Sequence, residues 1–388
     1  MKKLSESVGY WTKKLKHKER GAVLKFDRKN EEILGLISLS IDFPCRLMNR
    51  FECSGRSAYR AIEKMIDDGY IKRYRKDGIS SLRIMKKGQD ILIANNPDRF
   101  ERAMEIRRYS RSDLVKRLRI HRVASTYATM RNSGVKIYMD EKPALFSQSE
   151  KELITLTDTA FYSALEIKEL GPECTKIKFS RSVGVVLCTD EKGFIVYNTD
   201  NSLMKWSGKA EQRLYGVLTG ILLNKGIQVN DFAGLMLGND MNTALLQLNS
   251  KGGVKNSFFK LDNTFNEFYY VPTNKDGDLQ LKLLINSEKR AYLRESVIQA
   301  FRLRDSLFPF AADGIDTEDR VTLLAYEFDM EKIRKFKSGL EMFEKTGIVI
   351  CFDFQRKVLE EYFRGLARIV ALNKDWVAKE LNRWNEKE

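Results

Sequence analysis

Asp158 and the triplet Glu166-Ile167-Lys168 come nearest, by residue type and spacing, to a catalytic set in this chain. Magnesium-dependent DNA cleavage needs carboxylates to hold a hard cation and a lysine to orient water or stabilise charge. An acid followed by (D/E)-x-K is how restriction-type nuclease cores present those groups. Here no proline precedes the acid, the spacing is short, and E-x-K arises readily by chance where 31% of residues are charged. A degenerate nuclease-like core and a plain solvated Glu/Lys pair therefore stand beside the catalytic reading. The chain lacks G-x-x-x-x-G-K-[ST], a G-x-G-x-x-G after a strand, H-E-x-x-H and G-x-S-x-G, so nucleotide hydrolase, dinucleotide, zinc-protease and serine-hydrolase chemistry have no motif to rest on. Mg²⁺ enters only under the nuclease reading; otherwise the sequence implies no cofactor.

Cys45, Cys53, Cys174, Cys188 and Cys351 form no C-x-x-C pair and have only His17 and His121 beside them, which predicts reduced thiols rather than a disulfide framework or a zinc site. His121, between Arg119 and Arg122 without an acidic or nucleophilic motif, reads as structural or phosphate-facing. Ser180–Gly184 and Val196–Trp206, followed by Glu211, collect turn formers and charges around an exposed-looking Trp206. Such a loop can carry binding groups; alternatively Trp206 and Met204 cover a sheet edge. Asp329 and Asp353 end or interrupt later strands and could line the same crevice.

The elements that must position these residues follow from charge and periodicity. The 388 residues include 43% hydrophobic and 11% aromatic types with only 6 prolines, a globular composition with room for two or three domains. No stretch approaches the roughly 18–20 apolar residues needed to span a bilayer, and Met1-Lys2-Lys3-Leu4-Ser5-Glu6 leads into no apolar signal core, so a cytoplasmic protein without membrane association is expected. The net charge of +15 is unevenly placed: residues 1–140 hold 33 Lys and Arg against 17 Asp and Glu, leaving 35 against 36 for the rest. A basic front joined to a neutral rear fits a polyanion-binding module, because cations gain by displacing phosphate counterions.

Residues 1–29 read as a basic arm. A first helix follows from Glu31 on the spacing of Ile33, Leu34, Leu36 and Ile37, a second opens at Phe43-Pro44, and a third runs from Ser54-Gly55 to Asp68 with Ala58, Ala61, Ile62, Met65 and Ile66 inward. The outer face of the third carries Arg56, Ser57, Tyr59, Arg60 and Lys64, the candidate recognition residues for duplex DNA. After Gly69 the period becomes 2: Tyr70–Arg75 and Ile79–Met85 flank the turn Lys76-Asp77-Gly78, and Arg73, Arg75, Lys76 and Arg83 place cations for phosphate. A short closing helix, Gln89–Ala94, completes a winged helix over residues 30–97. Such a module can also serve protein contacts alone, which the uneven charge disfavours.

Residues 98–137 form a basic helical connector that either extends the DNA surface or is a connecting or dimerising helix pair with a solvated basic face. Residues 138–388 alternate short apolar runs (Val183–Cys188, Phe194–Tyr197, Gly234–Leu237, Phe268–Val271, Thr322–Phe328, Ile348–Phe354) with helical stretches (Lys209–Leu223, Asn242–Leu248, Leu279–Phe301, Glu331–Lys345, Gln355–Ala371), closing on a helix over Trp376–Trp384. The expected fold is an α+β N-terminal winged helix followed by an α/β domain with one mixed, partly parallel sheet, restriction-endonuclease-like under the nuclease reading.

The winged helix running into Lys87-Gly88, the basic helix around His121-Arg122-Val123-Ala124 and a later sheet domain with E-x-K resemble the replication-relaxation proteins of bacterial plasmids, phages and conjugative elements. The resemblance covers about residues 30–225, with Phe161–Lys168, Ser180–Gly184 and Tyr197–Trp206 in its centre, and implies DNA binding in replication, mobilisation or transcriptional control. Those proteins tend to carry a proline-aspartate pair ahead of the acidic strand, where this chain has Thr157-Asp158. The leading expectation is a double-stranded DNA-binding protein, acting as a homodimer; the alternative is a Mg²⁺-dependent nuclease cutting with Asp158, Glu166 and Lys168. A ligand-sensing regulator is a third class, without a small-molecule signature in the sequence.

Overall fold

Helix α1 (Arg28–Ser40) buries Ile33, Leu34, Leu36, Ile37 and Leu39 and opens the part of the chain described by a computed structural model, residues 28–51, 55–106, 113–146, 153–169, 180–253, 257–305 and 307–385. All but the last two residues of the expected basic arm lie outside it. Phe43-Pro44, expected to open a second helix, instead forms a two-residue strand, β1 (Phe43–Pro44), and the helical part shrinks to a 3-10 turn, Cys45–Arg50. Proline is tolerated there because β1 is an edge strand in a three-stranded antiparallel sheet of order β1-β3-β2. Helix α2 (Gly55–Asp67) turns Ala58, Ile62 and Met65 inward, as its spacing requires. Strands β2 (Ile71–Lys76) and β3 (Ile79–Ile84) pair with Lys76 opposite Ile79, leaving Asp77-Gly78 as a two-residue turn with φ of 53° and 73°. Positive φ at both positions suits a type I′ hairpin.

Helix α3 (Lys86–Asn95) begins earlier than expected and includes Gly88, where a Cβ would lie 2.4 Å from the Tyr70 carbonyl oxygen; only glycine allows that approach. Helices α4 (Pro97–Ile106) and α5 (Leu114–Asn132) follow. α5 is no solvated connector: Ala124, Tyr127 and Met130 lie in one continuous core with Ile33 and Leu34 of α1 and with Phe161, Val186 and Phe194 of the next sheet. The front third and the central sheet thus share a core.

That central sheet has five strands in order, β4 (Ala160–Ser163), β5 (Gly184–Leu187), β6 (Lys192–Asp200), β7 (Asp231–Gly238) and β8 (Phe268–Pro272), with the first three antiparallel and β6, β7 and β8 parallel. Its two faces follow the period of 2: Phe194 and Val196 point into the core shared with α5, while Ile195 and Tyr197 point the other way. Helix α6 (Ala164–Lys168) follows β4; α7 (Gly208–Asn224) and α8 (Met241–Leu248) connect the parallel strands, and α7 packs Leu214, Leu218 and Leu222 on the second face.

The single mixed sheet expected for residues 138–388 is in fact two. Strands β9 (Gly314–Ile315), β10 (Val321–Leu324), β11 (Gly347–Phe352) and β12 (Ala367–Leu372) form a separate four-stranded sheet, parallel except for β9. Apolar runs identify strands but not their partners. The expected helix over Leu279–Phe301 is two, α9 (Lys275–Leu284) and α10 (Ser287–Phe301), because the Asn286 side chain caps the second by accepting from the Lys289 N–H. α11 (Met330–Met342) lies between β10 and β11. The stretch Gln355–Ala371 likewise divides into α12 (Asp353–Phe363) and β12, since Arg364 (φ 47°) and Gly365 (φ 87°) stop the helix. α13 (Lys374–Asn385) ends the described chain, and no described helix is long and apolar enough to cross a membrane.

Candidate nucleic-acid interface

The surface of α2 opposite its buried stripe carries Arg56, Arg60 and Lys64, all exposed, together with Tyr59. On the hairpin, Lys72, Arg73, Arg75 and Lys76 are exposed. Among the described residues, Arg56, Arg60, Lys64, Lys72 and Arg75 form no ion pair. Arg73 ties strand to helix: its guanidinium pairs with Glu63 and lies 5.7 Å from the centre of the Tyr59 ring. Ser57 is hydrogen-bonded to Lys29 of α1.

Arg83 departs from expectation. Instead of facing outward it donates from Nε to Asp42 at 2.8 Å, with its guanidinium over the Tyr74 ring. Asp42, 1% exposed, also accepts from Arg117 Nε at 2.8 Å and from the Ser81 hydroxyl, and His121 Nε2 stands 3.4 Å away. Burial alone would raise its pKa, but the surrounding donors His121, Arg83, Arg117 and Ser81 hold it far below the usual carboxylate range. Arg117 further donates to the Lys76 carbonyl at 2.9 Å and to Ser81 Oγ at 3.1 Å. This buried hub fixes the hairpin against α5 and places His121 in a structural role.

The other basic residues of 98–137 are divided. Arg99 pairs with Asp140 and Glu141, and Arg102 with Glu169, so both brace the fold. Arg107, Arg108 and Arg111 lie outside the described residues. Arg119 and Arg122 face a cleft between α5 and the central sheet.

Asp158, Glu166 and Lys168 go to three different settings. Asp158 is exposed, 3.9 Å from Lys136. Glu166 caps α6 in a reciprocal box with Ser163 and pairs at 2.7 Å with Lys142, whose side chain is 2% exposed. Lys168, two positions on, lines the cleft with Arg119. Among the described residues there is no group of three or more His, Cys, Asp or Glu side chains close enough to hold an ion. Trp206 is buried rather than exposed, packed edge-on to Tyr197 and Phe259 with Nε1 donating to Asp262 at 3.0 Å, and Met204 is buried beside it. Glu211 accepts from Tyr197 Oη at 2.8 Å and from Ser180 Oγ at 2.7 Å, its pKa raised by burial.

Asp329 escaped the sequence reading as a titrating group. It caps α11, accepts from the Phe268 N–H at 3.0 Å, and is pushed up to about 6 by burial and by Glu267. It lines a cavity of about 350 Å³ between the two mixed sheets, where Arg290 pairs with Glu327 and both Arg294 and Lys332 pair with Asp313. Asp353 begins α12 and does not line that cavity. Compared with protein-family models, curated proteins and solved structures, the chain matches none.

Proposed function

We propose that the chain binds double-stranded DNA, with residues 30–97 acting as a winged helix, α2 entering the major groove and the β2–β3 hairpin lying against the backbone. The observation that carries this reading is the row of exposed cations Arg56, Arg60, Lys64, Lys72 and Arg75, without an ion pair among the described residues, set on a module whose opposite side is buried. Arg56 and Arg60, in the N-terminal half of α2, are placed for guanine edges, where a bidentate contact is worth about 1–3 kcal/mol of discrimination. Arg73, held by Glu63 and Tyr59, keeps helix and wing in register, and Arg75 and Lys72 meet phosphates. The sequence resemblance to replication-relaxation proteins is the ground for proposing that this binding serves replication, mobilisation or transcriptional control of a mobile element. Fluorescence anisotropy with labelled duplex tests the reading: Arg56→Ala with Arg60→Ala weakens binding on the order of tenfold or more, and unchanged affinity refutes it.

A further inference from the structure

Five cationic side chains line one cleft, outnumbering the described carboxylates that act on them. Arg119 and Arg122 come from α5, Lys168 from α6, Arg181 from the turn before β5, and Lys205 from the turn after β6, around a volume of about 460 Å³. Among the described residues none of the five side chains forms an ion pair. The nearby acids are already engaged: Asp200 with Arg46 at 2.9 Å, Glu166 with Lys142, Glu169 with Arg102, and Glu211, which is buried and acts on Arg181 through charge, with the Ser180 and Tyr197 hydroxyls and the Arg181 N–H. The cavity lined by Asp329 is the contrast, since there Arg290, Arg294 and Lys332 each have a carboxylate.

The cations act on one another. Burial lowers the pKa of Arg122, and Arg119 and Arg181 lower it further against the pull of Asp200; Lys168 is lowered by burial and by Arg119. Arg122 is partly buried and the other four are exposed; gathering their like charges around one cleft costs free energy that a bound anion relieves. The remaining wall is largely apolar, with Ile41, Val123, Leu165 and Leu203 among its side chains. Most of the hydroxyls are committed inside the chain: Ser40 to the Ile37 carbonyl, Ser182 to the Gly184 carbonyl and Thr199 to the Ser202 carbonyl. Ile41 adds a backbone feature. It has φ of 66°, a strained conformation for a β-branched residue, and such strain collects at ligand clamps.

The geometry points to this cleft as a binding site for a nucleotide-sized organic polyphosphate, its phosphates held by Arg119, Arg122, Lys168 and Arg181 and its base or other flat body against the apolar wall. A monocarboxylate would answer one cation; a di- or triphosphate answers several, and arginine forks match phosphate oxygens in pairs. The volume falls within the roughly 300–1,000 Å³ of small-molecule sites. The site lies apart from the outward cations of α2, so it stands whether or not that surface binds DNA.

Isothermal titration calorimetry on the full chain at constant ionic strength, with ATP, GTP, pyrophosphate and adenosine as probes, tests it. Saturable binding is expected for at least one nucleoside triphosphate, weaker for pyrophosphate and undetectable for adenosine. Arg122→Gln with Arg181→Gln, and separately Lys168→Gln with Lys205→Gln, weaken it on the order of tenfold or more. Melting temperatures of both variants stay at or above that of the parent, because repulsion is relieved. No saturable binding, or binding unmoved in a folded variant, overturns the proposal. A single-stranded oligonucleotide that displaces the nucleotide and loses affinity in the same variants also overturns it, by assigning the cleft to a nucleic-acid strand.

Discussion

Asp42 and Arg117, 75 positions apart, meet in a buried ion pair at 2.8 Å, and that contact joins the hairpin to the helix shared with the central sheet. Both carboxylate oxygens of Asp42 are used, one by Arg83 and Ser81 and the other by Arg117. The module of α2 and the hairpin is therefore held in place by an electrostatic contact made inside the chain.

Removing one partner of a buried ion pair strands the other charge, so Asp42→Ala is expected to cost about 3–5 kcal/mol in urea unfolding. The pH dependence has a definite sign. Because the folded pKa of Asp42 is depressed, its contribution is present above the unfolded value, near 3.9, and is lost as pH falls below it. Asp42→Asn should flatten that acid limb; an acid limb as steep as the parent's would exclude Asp42 as its source.

Asp329 has the opposite sign. With a folded pKa of about 6 against about 3.9 unfolded, stability is fully present below pH 4 and declines as pH rises through 6, by about 2–3 kcal/mol. Asp329→Asn keeps an oxygen to accept from Phe268 and to cap α11 but removes the ionisation. Denaturation midpoints should rise at pH 8 and match the parent at pH 4. A midpoint lower at pH 8 would mean that the ionised carboxylate itself is required.

Glu166 caps α6 and neutralises Lys142, so Glu166→Ala should lose about 2–4 kcal/mol of stability by calorimetry while DNA affinity stays constant. Were the residue a metal ligand in a nuclease, plasmid nicking in Mg²⁺ would be abolished with little change in melting. Nicking by the parent that Glu166→Ala eliminates would reinstate that chemistry.

Arg83 and Arg60 should separate fold from binding. Arg83→Ala removes a buried partner of Asp42 and is expected to cost about 1–3 kcal/mol of stability, with duplex affinity preserved at temperatures where the variant is folded. Arg60→Ala, at an exposed position without an ion pair, should leave urea midpoints within about 0.5 kcal/mol and weaken binding. The reverse pattern would move the interface away from α2.

Local signals were readable where chemistry acts over a few residues. The stripe Ala58, Ile62, Met65 defined α2, and Asp77-Gly78 defined the hairpin. Long-range pairing was not. Phe43-Pro44 becomes a strand only because Leu82 and Ser81 lie opposite, and β12 is hidden behind Arg364-Gly365 in a run that otherwise looks helical. α5 misled most. Arg117 looks like part of a solvated basic face, and only its partner Asp42, far off in sequence, lets it be buried. The cleft cations come from four separate segments, so no spacing could have gathered them.

Affinity for duplex DNA measured across salt concentration bears most directly on the central claim. The logarithm of the association constant should fall linearly with the logarithm of salt, and replacing Lys64, Lys72 and Arg75 with alanine should shallow the slope by about 0.9 for each phosphate contact removed. Affinity indifferent to salt, or a slope that the triple variant leaves where it was, would contradict duplex binding through α2 and the hairpin.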